Sequence, residues 1–148
     1  MHSLNLPQFE YQIKHINGIA HIWDIIRKKY VQVTPEEWVR QHFIHYLINE
    51  NGYAKGLISC EKGLEVNTLK KRSDILIYNR EMQPFLLVEC KSADIKIDNK
   101  VLQQAAMYNK TIGAPNVCVT NGLKTFCFSI SAQNKIEILN QIPELRYE

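Results

Sequence analysis

Glu89 and Lys91 close a run of apolar residues, Pro84-Phe85-Leu86-Leu87-Val88, that otherwise reads as a strand made for the inside of a sheet. Side chains alternate along a strand, so Phe85, Leu87, Glu89 and Lys91 are expected on one side and Leu86, Val88 and Cys90 on the other. Both sides stay apolar up to Glu89, as in a central strand covered on two faces, where a lone charge is costly. The charged pair therefore needs partners. A second strand, Arg72 to Asn79, precedes it across a polar turn at Asn79 to Pro84 and carries Asp74 near its start. A hairpin of the two brings Asp74 to the Glu89 end, so two carboxylates and an ammonium converge where the strands terminate. Converging carboxylates repel, and the remedies are a shared proton or a cation. Mg²⁺ suits them, with Mn²⁺ as a substitute: it takes oxygen ligands, keeps waters, and is usually held by one or two carboxylates with substrate phosphate. An adjacent lysine can stabilise charge building on the phosphate oxygens and position or deprotonate an attacking water. This is the chemistry of phosphodiester hydrolysis.

The elements that must hold these residues are legible along the chain. Ile13 to Ile22 alternates around Asn17-Gly18, a dipeptide suited to the positive φ of a tight hairpin turn. In TPEEWVRQHFIHYLINENG, Thr34 can cap a helix, Pro35 sits at its first position, Glu37 completes a capping box, and Gly52 can end it. An extended segment at Leu57 to Val66 follows, then the two strands around Asn79 to Pro84. A helix at Asp98 to Thr111 and strands at Asn116 to Thr120 and Thr125 to Ile130 complete the order; the last dozen residues give no signal. The expected architecture is α/β: residues 1–32 as an N-terminal hairpin extension and 33–130 as the core of a single domain spanning 1–148.

Several motifs in this order, TPEEWVRQ, KKRSDILIY, LLVECKS, Gln104-x-x-x-Tyr108 and VTNG, carry a resemblance. Asp74 with Glu89-x-Lys91 looks like the PD-(D/E)XK nuclease motif. The whole set, over roughly Val33 to Asn121, resembles the nuclease domain at the N-terminus of type I restriction enzyme R subunits. The resemblance implies a restriction-endonuclease-like αβββαβ core, a mixed central sheet flanked by helices, and a Mg²⁺-dependent DNA nuclease of restriction or repair. Endonuclease action is favoured over exonuclease action. It further implies Asp74 and Glu89 as metal ligands, Lys91 as the catalytic lysine, Gln104 as support for the metal or the substrate phosphate, Tyr108 as a nucleic-acid contact, and an acid on the first helix. Glu37 has a structural role ready in the capping box, so Glu36, placed above Phe43 on the inward face, is favoured for that acid, with Glu37 the alternative. The Pro that often precedes the motif Asp is Ser73 here. No G-x-x-x-x-G-K-[ST] loop occurs in these 148 residues, so the ATP-driven motor of such R subunits is not encoded in them. Separate motor or specificity subunits are then expected partners, and a homodimer is the simplest way for so small a domain to cut both strands. The competing reading is a catalytically silent nuclease fold that binds DNA or another protein.

Composition is compatible with this and narrows it little. The formal charge is +3, with basic clusters at Arg27-Lys28-Lys29 and Lys70-Lys71-Arg72. The second directly precedes Asp74, where it can hold a phosphodiester backbone. Gln104 lies at the edge of the stripe Val101, Ala105, Tyr108 and Ile112 that is expected to be buried. His42 and His45, three apart on the first helix, lack a third ligand at metal spacing and read as amphipathic or exposed. Cys60, Cys90, Cys118 and Cys127 fall in strand-like runs without CxxC spacing and are expected to be reduced core thiols, which suits the cytoplasm. Neither an apolar run of membrane-span length nor a secretory pattern is present, so a soluble protein without membrane partners is expected.

Overall fold

A computed structural model describes residues 3–60, 65–66, 69–70 and 75–145. Three small strands, β1 (Ile13–Ile16), β2 (Ile19–Asp24) and β3 (Lys29–Gln32), form an antiparallel sheet. The β1–β2 turn is Asn17-Gly18, with φ of 54° and 78°, the left-handed pair that twists in step with the strands it joins. The expected hairpin is thus present, extended by β3. No turn dipeptide announces β3; the chain reverses at Lys28, which takes a φ of 55°.

Helix α1 (Pro35–Asn49) opens on Pro35 with Thr34 Oγ1 accepting from Glu37 N–H at 3.0 Å, as expected. The expected capping box is not completed, because Thr34 N–H donates to Gln32 C=O and the Glu37 carboxylate is taken elsewhere. Val39, Phe43, Ile44 and Leu47 are all fully buried and form one core with the main sheet. Its neighbours Arg40, Gln41 and His42 are buried as well, so the helix is enclosed on more than one side. A short 3₁₀ turn (Lys55–Leu57) leads into β4 (Ile58–Cys60); β5 (Glu65–Val66) and β6 (Leu69–Lys70) form a separate two-stranded ribbon.

The main sheet has the order β11-β10-β9-β8-β7-β4, built from β7 (Ile75–Tyr78), β8 (Pro84–Cys90), β9 (Asn116–Thr120), β10 (Thr125–Ile130) and β11 (Ile136–Leu139). All pairs are antiparallel except β8–β9, which is parallel and is bridged by helix α2 (Asn99–Ile112). Asp98 caps α2, accepting from Val101 N–H at 3.0 Å, and Gly113 ends it with a φ of 78°. Asn109 adds an unexpected lock, its amide both donating to and accepting from the backbone of Ala114.

Alternation along β7 and β8 divides the core. Ile75, Ile77, Leu86, Val88 and Cys90 face α1, whereas Leu76 and Leu87 pack with Tyr108 and Ala114 on the α2 side. Each such aliphatic side chain contributes about 1.5–3 kcal/mol by its burial. Phe85 departs from the expected pattern and packs against the α1-side core; the β7–β8 register shifts between Ile77 and Tyr78, beside the turn, which breaks strict alternation.

Two further expectations are corrected. Residues 136–139 form a strand, because antiparallel pairing with β10 supplies the order that their own sequence does not signal. Cys118 and Cys127 are not reduced thiols: they are direct cross-strand partners on β9 and β10, with α-carbons 4.2 Å apart, and are joined as a disulfide. Reading each strand alone hides that register. Cys60 and Cys90 stay outside any bridge and are buried.

Candidate active site

The central strands deliver Glu89 and Lys91 to one place. Glu89 is 1% exposed near the end of β8, where it pairs in register with Val119 of parallel β9. By alternation it shares the α2 side with Leu87. Lys91 follows the strand and is pinned there by its own N–H, which donates to Thr120 C=O at 2.8 Å. Its side chain remains 22% exposed and sets Nζ 4.0 Å from Glu89 Oε1. That distance is an ionic contact rather than a direct hydrogen bond, with room for a bridging polar atom.

The VTNG turn after β9 builds the surrounding wall. Asn121 Nδ2 donates to Ile95 C=O at 2.8 Å, and its Oδ1 accepts from Leu123 and Lys124 N–H. Thr120 Oγ1 accepts from Gly122 N–H at 3.0 Å. These bonds tie the loop after Lys91 to the end of β9, so the motif acts here as a brace.

Other expected residues fall in different places. Asp74, Lys71 and Arg72 lie outside the described residues, and Lys70 is described only as part of β6, in register with Glu65. Asp74 is joined in sequence to Ile75, which is in register with Val88, the residue before Glu89. On α2 the predicted stripe holds: Ala105 and Tyr108 are buried, and Val101 and Ile112 pack against the adjoining clusters. Gln104, however, is exposed rather than a buried amide at the stripe's edge. Tyr108 is only 6% exposed and packs on Leu76 and Leu87.

The inward reading of Glu36 is corrected as well. Glu36 is exposed, and Glu37 turns inward instead, because Arg27 and Gln41 both take its carboxylate, at 2.8 and 3.0 Å. Asp24, fully buried at the end of β2, completes this cluster by accepting from Ile26 N–H, Arg27 N–H, Arg27 Nε and Gln41 Nε2. Burial alone would raise the Asp24 carboxyl; the Arg27 backbone and guanidinium outweigh it and hold the group below the ordinary carboxylate range. Burial works against the Arg27 guanidinium in turn, yet Glu37 and Asp24 push it above its ordinary value. Arg40 is 1% exposed, with Nη1 3.5 Å from Glu37 Oε1. Asp24 goes unmarked in the sequence and Arg27 stands out only as part of a basic cluster; the signal that joins them is an acid at a strand end with that basic run three residues on.

Of the two histidines expected to be exposed or amphipathic, His42 is buried and His45 is partly buried. The His42 Nδ1–H donates to Trp38 C=O at 2.8 Å, and His45 stacks on Phe9 with centroids 4.2 Å apart. Burial lowers the pKa of both. Burial likewise pushes the Cys60 thiol up to about 12, leaving it inert.

Among the described residues no group of three or more His, Cys, Asp or Glu comes together as a metal cluster. The Glu89 carboxylate is a hard oxygen donor at a strand end, of the kind that suits Mg²⁺, which binds protein through one or two carboxylates. No helix among the described residues is long and apolar enough to cross a membrane.

A mixed sheet with α1 against one face and α2 crossing over the other, in the order αβββαβ with a β5–β6 ribbon inserted, defines a restriction-endonuclease-like domain. The chain belongs to the family of the type I restriction enzyme R protein N terminus, whose pattern matches residues 35–143. That span takes in α1 through β11 and leaves out the N-terminal sheet. No curated protein and no solved structure matches the chain.

Proposed function

We propose that this domain is a Mg²⁺-dependent DNA nuclease that hydrolyses phosphodiester bonds, as the cutting module of a restriction system whose motor and specificity functions reside outside these residues. One observation carries the reading: in a chain of the R-protein family, a buried carboxylate and a partly exposed ammonium stand 4.0 Å apart at the end of a central strand. Glu89 would hold the metal, joined by Asp74, which sequence places one residue before the β7 strand paired with β8. When bound, the ion would polarise the phosphate and make a bound water more acidic. Lys91, fixed through its backbone to β9, would place its ammonium beside the charge that gathers on the phosphate oxygens and orient the attacking water. The brace around Asn121 would keep that ammonium from drifting. Lys70, Lys71 and Arg72 would grip the DNA backbone, and exposed Gln104 would turn to the phosphate.

The test is nicking of supercoiled plasmid with Mg²⁺ or Mn²⁺, beside thermal melts with Mg²⁺ and with EDTA. Activity together with a metal-dependent rise in melting temperature is the expected result. Wild type showing neither ends the stand-alone nuclease reading and leaves a silent DNA-binding fold. In that case replacing Lys70, Lys71 and Arg72 would still lower the slope of log K against log[salt] by about 0.9 for each phosphate that is no longer neutralised.

A further inference from the structure

Strand β11 ends the main sheet, and no described strand lies beyond it. Its sequence is Ile136-Glu137-Ile138-Leu139, and two of its residues are unusually open for their type: Ile136 is 58% and Ile138 72% exposed. The register explains both. Ile136 faces Ile130 and Ile138 faces Phe128 on the side of the sheet that α2 covers, but α2 stops short of this edge. With Phe126, 39% exposed, they form an apolar strip that continues the core past the helix.

The open edge also has a definite hydrogen-bonding pattern. Ser131 N–H donates to Lys135 C=O at 2.9 Å, so these two form a hydrogen-bonded pair of the hairpin. Such pairs alternate with open ones along an antiparallel ladder. Counting by two, Glu137 and Leu139 direct their backbone groups to β10, while Ile136 and Ile138 direct theirs outward. Ile130 N–H, which donates away from β11 to Pro115 C=O at 2.8 Å, agrees with that count. On the opposite side of the strand, Lys135 and Glu137 are both exposed.

We propose that β11 pairs antiparallel with β11 of a second copy of this chain, with Ile136 opposite its own counterpart and Lys135 opposite Glu137 on both sides of the two-fold axis. Charge selects both the partner and the register. In this alignment the Ile136 backbones exchange two hydrogen bonds, the two isoleucines meet on the apolar strip, and each open pair flanking them joins an ammonium to a carboxylate. Side chains in such open pairs are the closest across a ladder, with α-carbons about 4.5 Å apart. Slipping the alignment by two residues sets Glu137 against Glu137 and loses both ion pairs. The strand is complementary to itself, and a two-fold interface requires that property. The resulting twelve-stranded sheet would bury an edge that is otherwise open to indiscriminate pairing.

Sedimentation of the full chain tests this independently of any nuclease activity. Wild type should sediment at twice its 17.3 kDa. Ile136→Pro removes an outward N–H without touching the β10 ladder, and it should give a folded monomer by circular dichroism. Lys135→Glu and Glu137→Lys should each weaken the dimer by about tenfold or more. Mixing those two variants should restore it, because the mixed dimer regains both attractive pairs. A wild type that stays single at about 100 µM, including one that takes a different protein at this edge, overturns the proposal. So does a dimer that survives Ile136→Pro, or one that Glu137→Gln tightens, which would mean the slipped register.

Discussion

Asp24 and Glu89 are equally buried carboxylates with opposite surroundings. Asp24 accepts from four donors at 2.6 to 3.1 Å, all supplied by the stretch from Ile26 to Gln41. No further ligand can approach without displacing one of them. Glu89 stands 4.0 Å from a lysine that is partly open to solvent, at the mouth of a strand. Equal burial therefore goes with different surroundings. A closed set of short bonds fastens the N-terminal sheet to α1, whereas the proposed function requires the long Glu89–Lys91 contact to leave space for a reacting group. Burial of a charge distinguishes neither; the short donors gathered on Asp24 and the solvent-open ammonium beside Glu89 tell the two apart.

Exchanging the damage is the strongest way to break this comparison. Lys91→Ala should lower plasmid nicking by about 100-fold or more while leaving the melting temperature nearly unchanged. Arg27→Ala leaves Asp24 and Glu37 short of their shared cation, so it should cost about 3 kcal/mol in urea titration. It should still permit nicking at temperatures where the protein is folded. Stability loss without activity loss for Lys91→Ala would make the Glu89 contact a structural ion pair. Activity loss without stability loss for Arg27→Ala would move the α1 cluster into the active site.

A smaller effect concerns the sheet that carries both. The Cys118–Cys127 bridge closes a short loop between β9 and β10, next to the Thr120–Asn121 brace. Reduction should cost about 2.5 kcal/mol, the chain-entropy value for so short a loop. Thiol titration of the unfolded chain should count Cys60 and Cys90 alone before reduction and all four cysteines after it. Four reactive thiols without reductant would remove the bridge. An unchanged nicking rate on reduction would show that the brace holds Lys91 by itself.

How much of this the sequence disclosed follows from what each residue needs. The start of α1, the cap of α2 and the Asn17-Gly18 turn are local events, fixed by a side-chain oxygen or a positive φ within a few residues, and all three are readable as written. The placement of Glu89 and Lys91 side by side at the end of a central strand was legible because residues two apart on a strand share a side. The orientation of the first-helix acids was not legible: Glu37 turns inward for an arginine ten residues earlier, a contact that helix periodicity does not contain. Strand β11 and the Cys118–Cys127 bridge depend on register with β10, which only the folded sheet establishes. Gln104 illustrates the same limit, since a helical stripe predicts its neighbours correctly and still misjudges the residue at the margin.

The finest distinction between the two regions lies in their response to acid. His42 and His45 pack behind α1 against Phe9, and burial holds both below the ordinary imidazole pKa. Folded, they stay neutral at a pH where the unfolded chain already binds protons. Stability from this source is therefore complete above about pH 6.5, the unfolded value, and declines as pH falls toward the folded pKa values. Asp24 obeys the same sign in a lower window: its folded pKa is depressed, so its contribution persists until pH drops below about 4. Melting temperature should thus fall in two stages, the first between neutral pH and the folded imidazole range. His45→Phe keeps a ring against Phe9 and removes one titrating group, so it should flatten the first stage by at most about 1.4 kcal/mol per pH unit and leave the second alone. A first stage untouched by that change would assign it to His42, whose Nδ1–H is already committed to the Trp38 carbonyl. A single stage beginning only below about pH 4 would mean that the imidazoles are no harder to protonate in the folded protein than in the unfolded chain, and that the α1 side is held by its carboxylates alone.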